Sequence, residues 1–236
     1  MTVKDKHHSG ISIQVGLSGY SFIRDTEGES RYSGWMSAER FFTSPELQQR
    51  YDEVEIGVFT HKFTLVPTHF HTPSQSRAIL GDVVSLQDTD TVGYVEVPEF
   101  ASVLVFSNSI GETLSKVISQ SVLRTDGASA GCLPYIYYML KSVPTMTEYN
   151  KIAASYMDGY LYLVIAQGRS LLLCNAFMAP DFTTAEYFIF MALKKLQLNP
   201  EISSITFMTP LEQEQEMSLY RYFRNVEVKP ETALSL

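Results

Sequence analysis

The chain has little of what usually announces a reaction or an address. Cysteine is scarce: Cys132 and Cys174 are the only two in 236 residues, far apart and in apolar surroundings. They read as free thiols of a reducing compartment, not as a disulfide framework. Basic residues are in deficit, 18 Lys and Arg against 26 Asp and Glu for a net charge of -8, and no Lys/Arg run occurs. That balance argues against a general attraction to nucleic-acid phosphates or anionic lipid. Long apolar runs are missing too. The longest, Tyr160–Ala166 and Leu171–Cys174, fall far short of the roughly 18 residues that suggest a spanning helix. The opening MTVKDKHHSG lacks the apolar core of a signal peptide. A soluble cytoplasmic protein without membrane insertion is the expectation.

Complete catalytic motifs are also lacking. Gly16–Gly19, "GLSG", does not fit the nucleophile elbow, because it joins strand to strand where an elbow joins strand to helix. "GASAG" at Gly127–Gly131 has no Lys or Ser/Thr of a phosphate loop. His61, His69 and His71 fall within eleven residues, but no cysteine or defined acid partner accompanies them, so they read as surface or loop histidines and no metal site is expected.

What is present is an ordinary globular balance, 45% hydrophobic and 19% charged, with 14 Tyr and 14 Phe against one Trp. Such aromatics suit sheets with buried faces. The chain also repeats itself. At an offset of 140 residues, Ser18-Gly19-Tyr20 falls on Asp158-Gly159-Tyr160, Gly28 on Gly168, and Thr43–Glu46 on Thr183–Glu186. Asp-Gly between apolar strands signals a two-residue hairpin, because such a turn needs positive φ. Both Thr-x-x-Glu stretches have the form of a capping box. Ile11, Ile13, Val15 and Leu17 alternate as a strand with one buried face, and Tyr160–Ile165 reads as a central strand. Further elements are expected as helices at Ser74–Val84, Ile110–Val122, Leu133–Leu140, after Thr183 and over Glu212–Phe223. Strands are expected at Val54–Phe59, Phe63–Val66, Leu171–Phe177, Ile202–Met208 and Val226–Val228, with a strand or hairpin over Tyr94–Phe106.

Each half thus reads β-β-β-α-β-α, residues 1–146 with insertions and residues 147–236 without. The fold class is α/β (α+β with mixed sheets). On "ISIQVGLSGYSF", "KFTLVP" and "YLYLVIAQGRSLLLCNAF" the chain resembles an uncharacterised Bacteroidetes family, a domain of unknown function with the duplicated ribonuclease H-like fold of actin-like ATPases. It is more distantly similar to the actin-like pilus-assembly and secretion-platform proteins. The resemblance implies two halves around a cleft.

Working members of that superfamily carry Asp-x-Gly at the first hairpin of each half, where the carboxylate orders water around Mg²⁺ and the glycine admits phosphate. Here Gly16 keeps the glycine but Gln14 replaces the carboxylate, and Ala154-Ser155-Tyr156 covers the second stretch, so that Tyr156 would crowd the phosphate. Asp158 reads as a turn residue beside Gly159 and not as a displaced metal ligand. Thr209-Pro210 stands where a Gly-Gly for adenosine is expected. The eroded phosphate-loop positions are therefore Gln14, Gly16, Ser18, Asp158, Gly159 and Thr209. No cofactor is expected, and no ATP hydrolysis. The leading expectation is a non-catalytic scaffold for a protein partner, held through the second half's sheet and the acidic Glu212–Glu216 helix. The alternative is a nucleotide-binding protein with a non-standard cleft.

Overall fold

The computed structural model describes residues 9–26, 29–109, 123–128 and 130–230. Two sheets share one topology. In the first half, β1 (Ser9–Val15) and β2 (Gly19–Thr26) form a hairpin, and β3 (Glu29–Tyr32) continues antiparallel to β2. A two-residue β4 (Met36–Ser37) pairs with the turn end of β2. On the other side of β1, β5 (Glu53–Val58) and β9 (Cys132–Pro134) run parallel, giving the order β3-β2-β1-β5-β9. The second half repeats it. Strands β10 (Asn150–Met157), β11 (Tyr160–Gln167) and β12 (Ser170–Met178) are antiparallel neighbours, while β13 (Ser204–Phe207) and β14 (Asn225–Val228) add in parallel, in the order β12-β11-β10-β13-β14.

Between β5 and β9 the chain inserts a small three-stranded sheet, β6 (Phe63–Pro67), β7 (Gly93–Val97) and β8 (Ser102–Phe106), in the order β6-β8-β7. The expected hairpin over Tyr94–Phe106 is β7 and β8, turned by a 3-10 segment, Pro98–Phe100, and by Ala101 at φ 48°. Helix α1 (Ser76–Gly81) is shorter than the Ser74–Val84 expected. The base of the insert holds a buried ion pair: Lys62 Nζ lies 2.6 Å from Asp90 Oδ2, and Asp90 is 5% exposed.

Helix α2 (Tyr135–Ser142) follows β9 directly and begins two residues later than expected, because Cys132–Pro134 is taken as the edge strand. It sits where the halves meet. Tyr135, Ile136, Met139 and Leu140 are fully buried in one core with Phe59 of the first half, Phe106 of the insert, and Ala153, Tyr162 and Met208 of the second half. The Tyr135 hydroxyl donates to the Met208 carbonyl at 2.6 Å, a long-range bond that fixes the helix to the second sheet. The outer faces of the two sheets carry separate cores. Ile11, Ile13 and Ile56 pack with Phe41 and Tyr51 on one, while α3 (Phe182–Lys195) and α4 (Gln213–Tyr220) cover the other through Ile189, Leu193 and Leu219. Both faces of β1 are covered, so Ser12 and Gln14 are as buried as Ile11 and Ile13.

The hairpin registers correct the offset of the repeat. Val15 pairs with Tyr20, and the Gly16 amide donates to Gly19 O at 2.9 Å, which leaves Leu17-Ser18 as the two-residue turn. In the second half Met157 pairs with Tyr160 around Asp158-Gly159. The true offset is 158 − 17 = 141. Ser18, not Gly19, is the counterpart of Gly159, and the first turn is one residue out of step with the sequence match. Gly28 lies outside the described residues, as does the helix expected at Ile110–Val122.

Neither threonine caps a helix. No α-helix starts at Thr43: two 3-10 turns, Ala38–Thr43 and Pro45–Gln48, stand there, and the Thr43 hydroxyl donates to the Arg40 carbonyl. In the second half Asp181 is the N-cap of α3, its carboxylate accepting from the Thr184 amide at 2.7 Å, so Thr183 lies inside the helix. A carboxylate two residues upstream wins because it is an equally good cap and favours the positive end of the helix dipole.

Candidate functional site

The two hairpin turns touch. Positive φ at both Asp158 (52°) and Gly159 (74°) makes the tight turn that reverses β10 into β11. This conformation carries the Asp158 side chain onto the opposite half. Its Oδ2 accepts from the Leu17 amide at 2.6 Å and its Oδ1 from the Ser18 hydroxyl at 2.8 Å. One carboxylate thus caps the whole Leu17-Ser18 turn. Gly16 has to be glycine for this to happen: a Cβ there would lie 2.4 Å from Asp158 Oδ2 and 3.1 Å from the Trp35 ring.

Gln14 is 1% exposed and fully engaged. Its amide nitrogen donates to the Pro230 carbonyl at 3.0 Å, and its amide oxygen accepts from the Ser21 hydroxyl at 3.2 Å. A carboxylate at this place would face a carbonyl oxygen, so the neutral amide suits a structural tie to the end of the second half. By the 141-residue offset the counterpart of Gln14 is Ser155, and that of Gly16 is Met157. Tyr156 is therefore not the residue facing the turn. It points toward α3, where its ring stacks edge-on with Phe182 and its hydroxyl donates to Ala179 O at 3.1 Å. Thr209 is fully buried, and its hydroxyl accepts from the Tyr156 amide at 3.0 Å, taking a donor at the end of β10.

The six positions singled out from sequence therefore divide. Gly16, Ser18, Asp158 and Gly159 come together at the junction of the turns; Gln14 and Thr209 each lie beside it and tie the strands behind. The Asp158 clasp was missed in sequence, and the only signal for it was an acid in the second turn opposite Gly-x-Ser in the first.

Two sheets of one topology thus meet turn to turn, with a small insert between β5 and β9 of the first. A family model matches residues 4–226, described as protein of unknown function (DUF3822). The chain belongs to that family. No curated protein matches it in sequence. Among solved structures it is similar to a protein with an actin-like ATPase fold and unknown function from Bacteroides thetaiotaomicron, 16% identical with a TM-score of 0.73 over 98% of this chain and 95% of that one. It is also similar to the PilM-PilN type IV pilus biogenesis complex, at 13% identity and a TM-score of 0.54 over 96% and 90% of the two chains. The cytoplasmic domain of EpsL, from the type II secretion system of Vibrio cholerae, aligns at 10% identity and a TM-score of 0.48 over 87% and 84%. The fold of this DUF3822 chain is the actin-like ATPase fold.

The residues present do not fit a magnesium-bound nucleotide. Neither Gln14 nor Ser155 supplies the carboxylate of the fold's metal shell. The backbone donors that would approach phosphate are occupied: Gly16 N by Gly19 O, Leu17 N by Asp158, and Tyr156 N by Thr209. A carboxylate also stands between the turns, and its charge opposes a second anion there.

Elsewhere, the histidines do not converge. The His61 ring stacks on Tyr160 at 4.3 Å, and burial, helped by the Lys62 charge, lowers its pKa. His71 is bonded to Ser76, while His69 packs against Phe70. Among the described residues no group of three metal-ligating side chains occurs. Cys174 is a free thiol, and enclosure pushes its pKa up. No helix among the described residues is long and apolar enough to cross a membrane. The acidic run has a local role: Glu212 and Gln215 form the capping box of α4, with Glu214 and Glu216 in its first turn.

Proposed function

We propose that the protein is a non-catalytic, macromolecule-binding protein on an eroded actin-like fold. The observation that carries this reading is the Asp158 carboxylate bonded to Leu17 and Ser18 of the other half. In this fold the two turns are the parts that hold phosphate; here they hold each other. The clasp replaces a ligand-bridged junction with a permanent one, which suits a rigid platform. Glycine at position 16 fits this reading, because a Cβ there would run into Asp158 and Trp35 and push the clasp apart. A protein of the same fold occurs in a pilus biogenesis complex with PilN, which supports a role in holding a partner.

The test is thermal melting with ATP, ADP and GTP, with and without Mg²⁺. A ligand at 100 times its dissociation constant adds about 2.7 kcal/mol of stability, a visible shift. No shift is expected. A Mg²⁺-dependent shift abolished by changing Ser18 would replace the reading with the nucleotide-binding one.

A further inference from the structure

Strand β12 is an edge strand of the second sheet. It runs nine residues, Ser170–Met178, pairs with β11 on one side only, and among the described residues no strand pairs with its other side. Folded proteins blunt such edges with charges, prolines or cover, because free N–H and C=O groups invite another chain. "SLLLCNAFM" has no charge and no proline, and Leu172 and Met178 are 38% and 69% exposed. A second edge faces it. Strand β6 is the outer strand of the inserted sheet, paired with β8 alone. Between them lies a cavity of about 630 Å³ lined by Phe63–Leu65 of β6 and by Leu171–Ala176 of β12. Residues that follow one another along a strand point to opposite faces. When consecutive residues line one cavity, the strand meets it edge-on. The His61–Tyr160 stack joins the two walls at one end.

We infer that this groove binds an extended, uncharged, mainly aliphatic segment of another protein as a strand added to β12. The inference rests on the macromolecule-binding reading and gives it a place and a partner chemistry. Because both walls are strand edges, the occupant is a strand with both of its own edges free. A second copy of β12 does not qualify, since β11 already occupies one of its edges. The lining has no acidic residue, Lys or Arg, so a charged side chain in the segment would be desolvated without an ion-pair partner. Seven residues of β12 line the groove, Leu171–Ala176 and Met178, so the segment spans about seven residues, roughly 23 Å at 3.3 Å per residue. Main-chain bonds supply the affinity and side-chain alternation the selectivity.

The probe is a random heptapeptide display library panned on the full chain. The Leu172→Glu protein is the counter-target, and Thr64→Lys changes the opposite wall. Leu172 is exposed, so its variant is expected to melt as the parent does. The expected result is enrichment of uncharged, aliphatic or β-branched peptides without central proline. Affinity of a synthetic copy should fall at least tenfold on either variant, and equally when alternate peptide amides are N-methylated. Bound peptide should slow amide exchange across Leu171–Ala176. No enrichment over the Leu172→Glu protein, indifference to N-methylation, or protection only outside β6 and β12 would each overturn the proposal. Such a failure leaves the non-catalytic reading standing, whereas a Mg²⁺-nucleotide melting shift removes that reading whatever the groove binds.

Discussion

Asp158 Oδ2 sits 2.6 Å from the Leu17 amide nitrogen, across the junction of two half-molecules and 141 positions along the chain. The bond joins a turn residue of one repeat to the equivalent turn of the other. It makes the hairpin turn of the second half the cap for the hairpin turn of the first.

Removing that carboxylate is therefore expected to loosen the junction. Asp158→Asn should cost about 1 kcal/mol, the net scale of one hydrogen bond, since the amide oxygen can still accept. Denaturant melts of parent and variant measure it. Unchanged stability would mean that the clasp is incidental.

Gly16→Ala should also destabilise, because its Cβ would lie 2.4 Å from the same carboxylate oxygen. The two changes should not add. In a background of Asp158→Ala the methyl group meets only the Trp35 ring at 3.1 Å and no longer the carboxylate, so the cost of Gly16→Ala should shrink by about 1 kcal/mol, the size of coupling seen for residues in contact. A double-mutant cycle with strictly additive costs would refute the contact.

Steady Mg²⁺-ATP turnover is expected to be absent, and Gln14→Asp alone should not create it. That substitution places a carboxylate against the Pro230 carbonyl in a site 1% exposed, so it should lower the melting temperature instead. Phosphate release by the purified variant, above the level of the parent, is the contrary outcome.

Acid should weaken the inserted sheet first. Asp90 is held below the ordinary carboxyl value of 3.8, chiefly by the hydrogen bond from Lys62, with the Gln87 amide adding to it. A depressed carboxyl pKa contributes stability that is fully present above the unfolded value and is lost as pH falls through the folded one. Melting temperature should thus drop below about pH 4 with an Asp90-dependent component. Asp90→Asn should remove that component and cost about 3 kcal/mol at neutral pH, since it strands a largely buried Lys62.

The α3 cap separates two sequence signals that look alike. Asp181→Ala should lower the melting temperature, while Thr183→Ala should leave it near that of the parent. Equal costs would restore the threonine as the cap.

Much of the architecture was legible along the chain because it rests on local rules. Alternation at Ile11–Val15, the apolar run at Tyr160–Ile165 and the Asp158-Gly159 turn each specify a strand or reversal from nearest neighbours alone. The duplicated order of strands followed from their repetition, and the neutral amide at Gln14 is a matter of residue type. The one-residue slip of the first turn was not legible, since Gly19 and Gly159 match as letters while the register is set by which amides pair. Nor was the first half's exchange of an α-helix for 3-10 turns, where packing of Phe41 and Leu47 decides over the Thr43-x-x-Glu46 pattern.

By itself, then, the sequence determined a duplicated α/β chain with a neutral Gln14 in the first strand of its first hairpin and an acid in the turn of its second, because strand period, turn residues and charge type are properties of short stretches. Tertiary structure alone decided that Asp158 closes the two turns on each other and that β6 and β12 present their free edges to one groove. Both facts depend on residues about 110 to 140 positions apart being brought within a few ångströms. Such proximity comes from the burial of α2 between the halves, where Tyr135 binds Met208, and no local pattern encodes it.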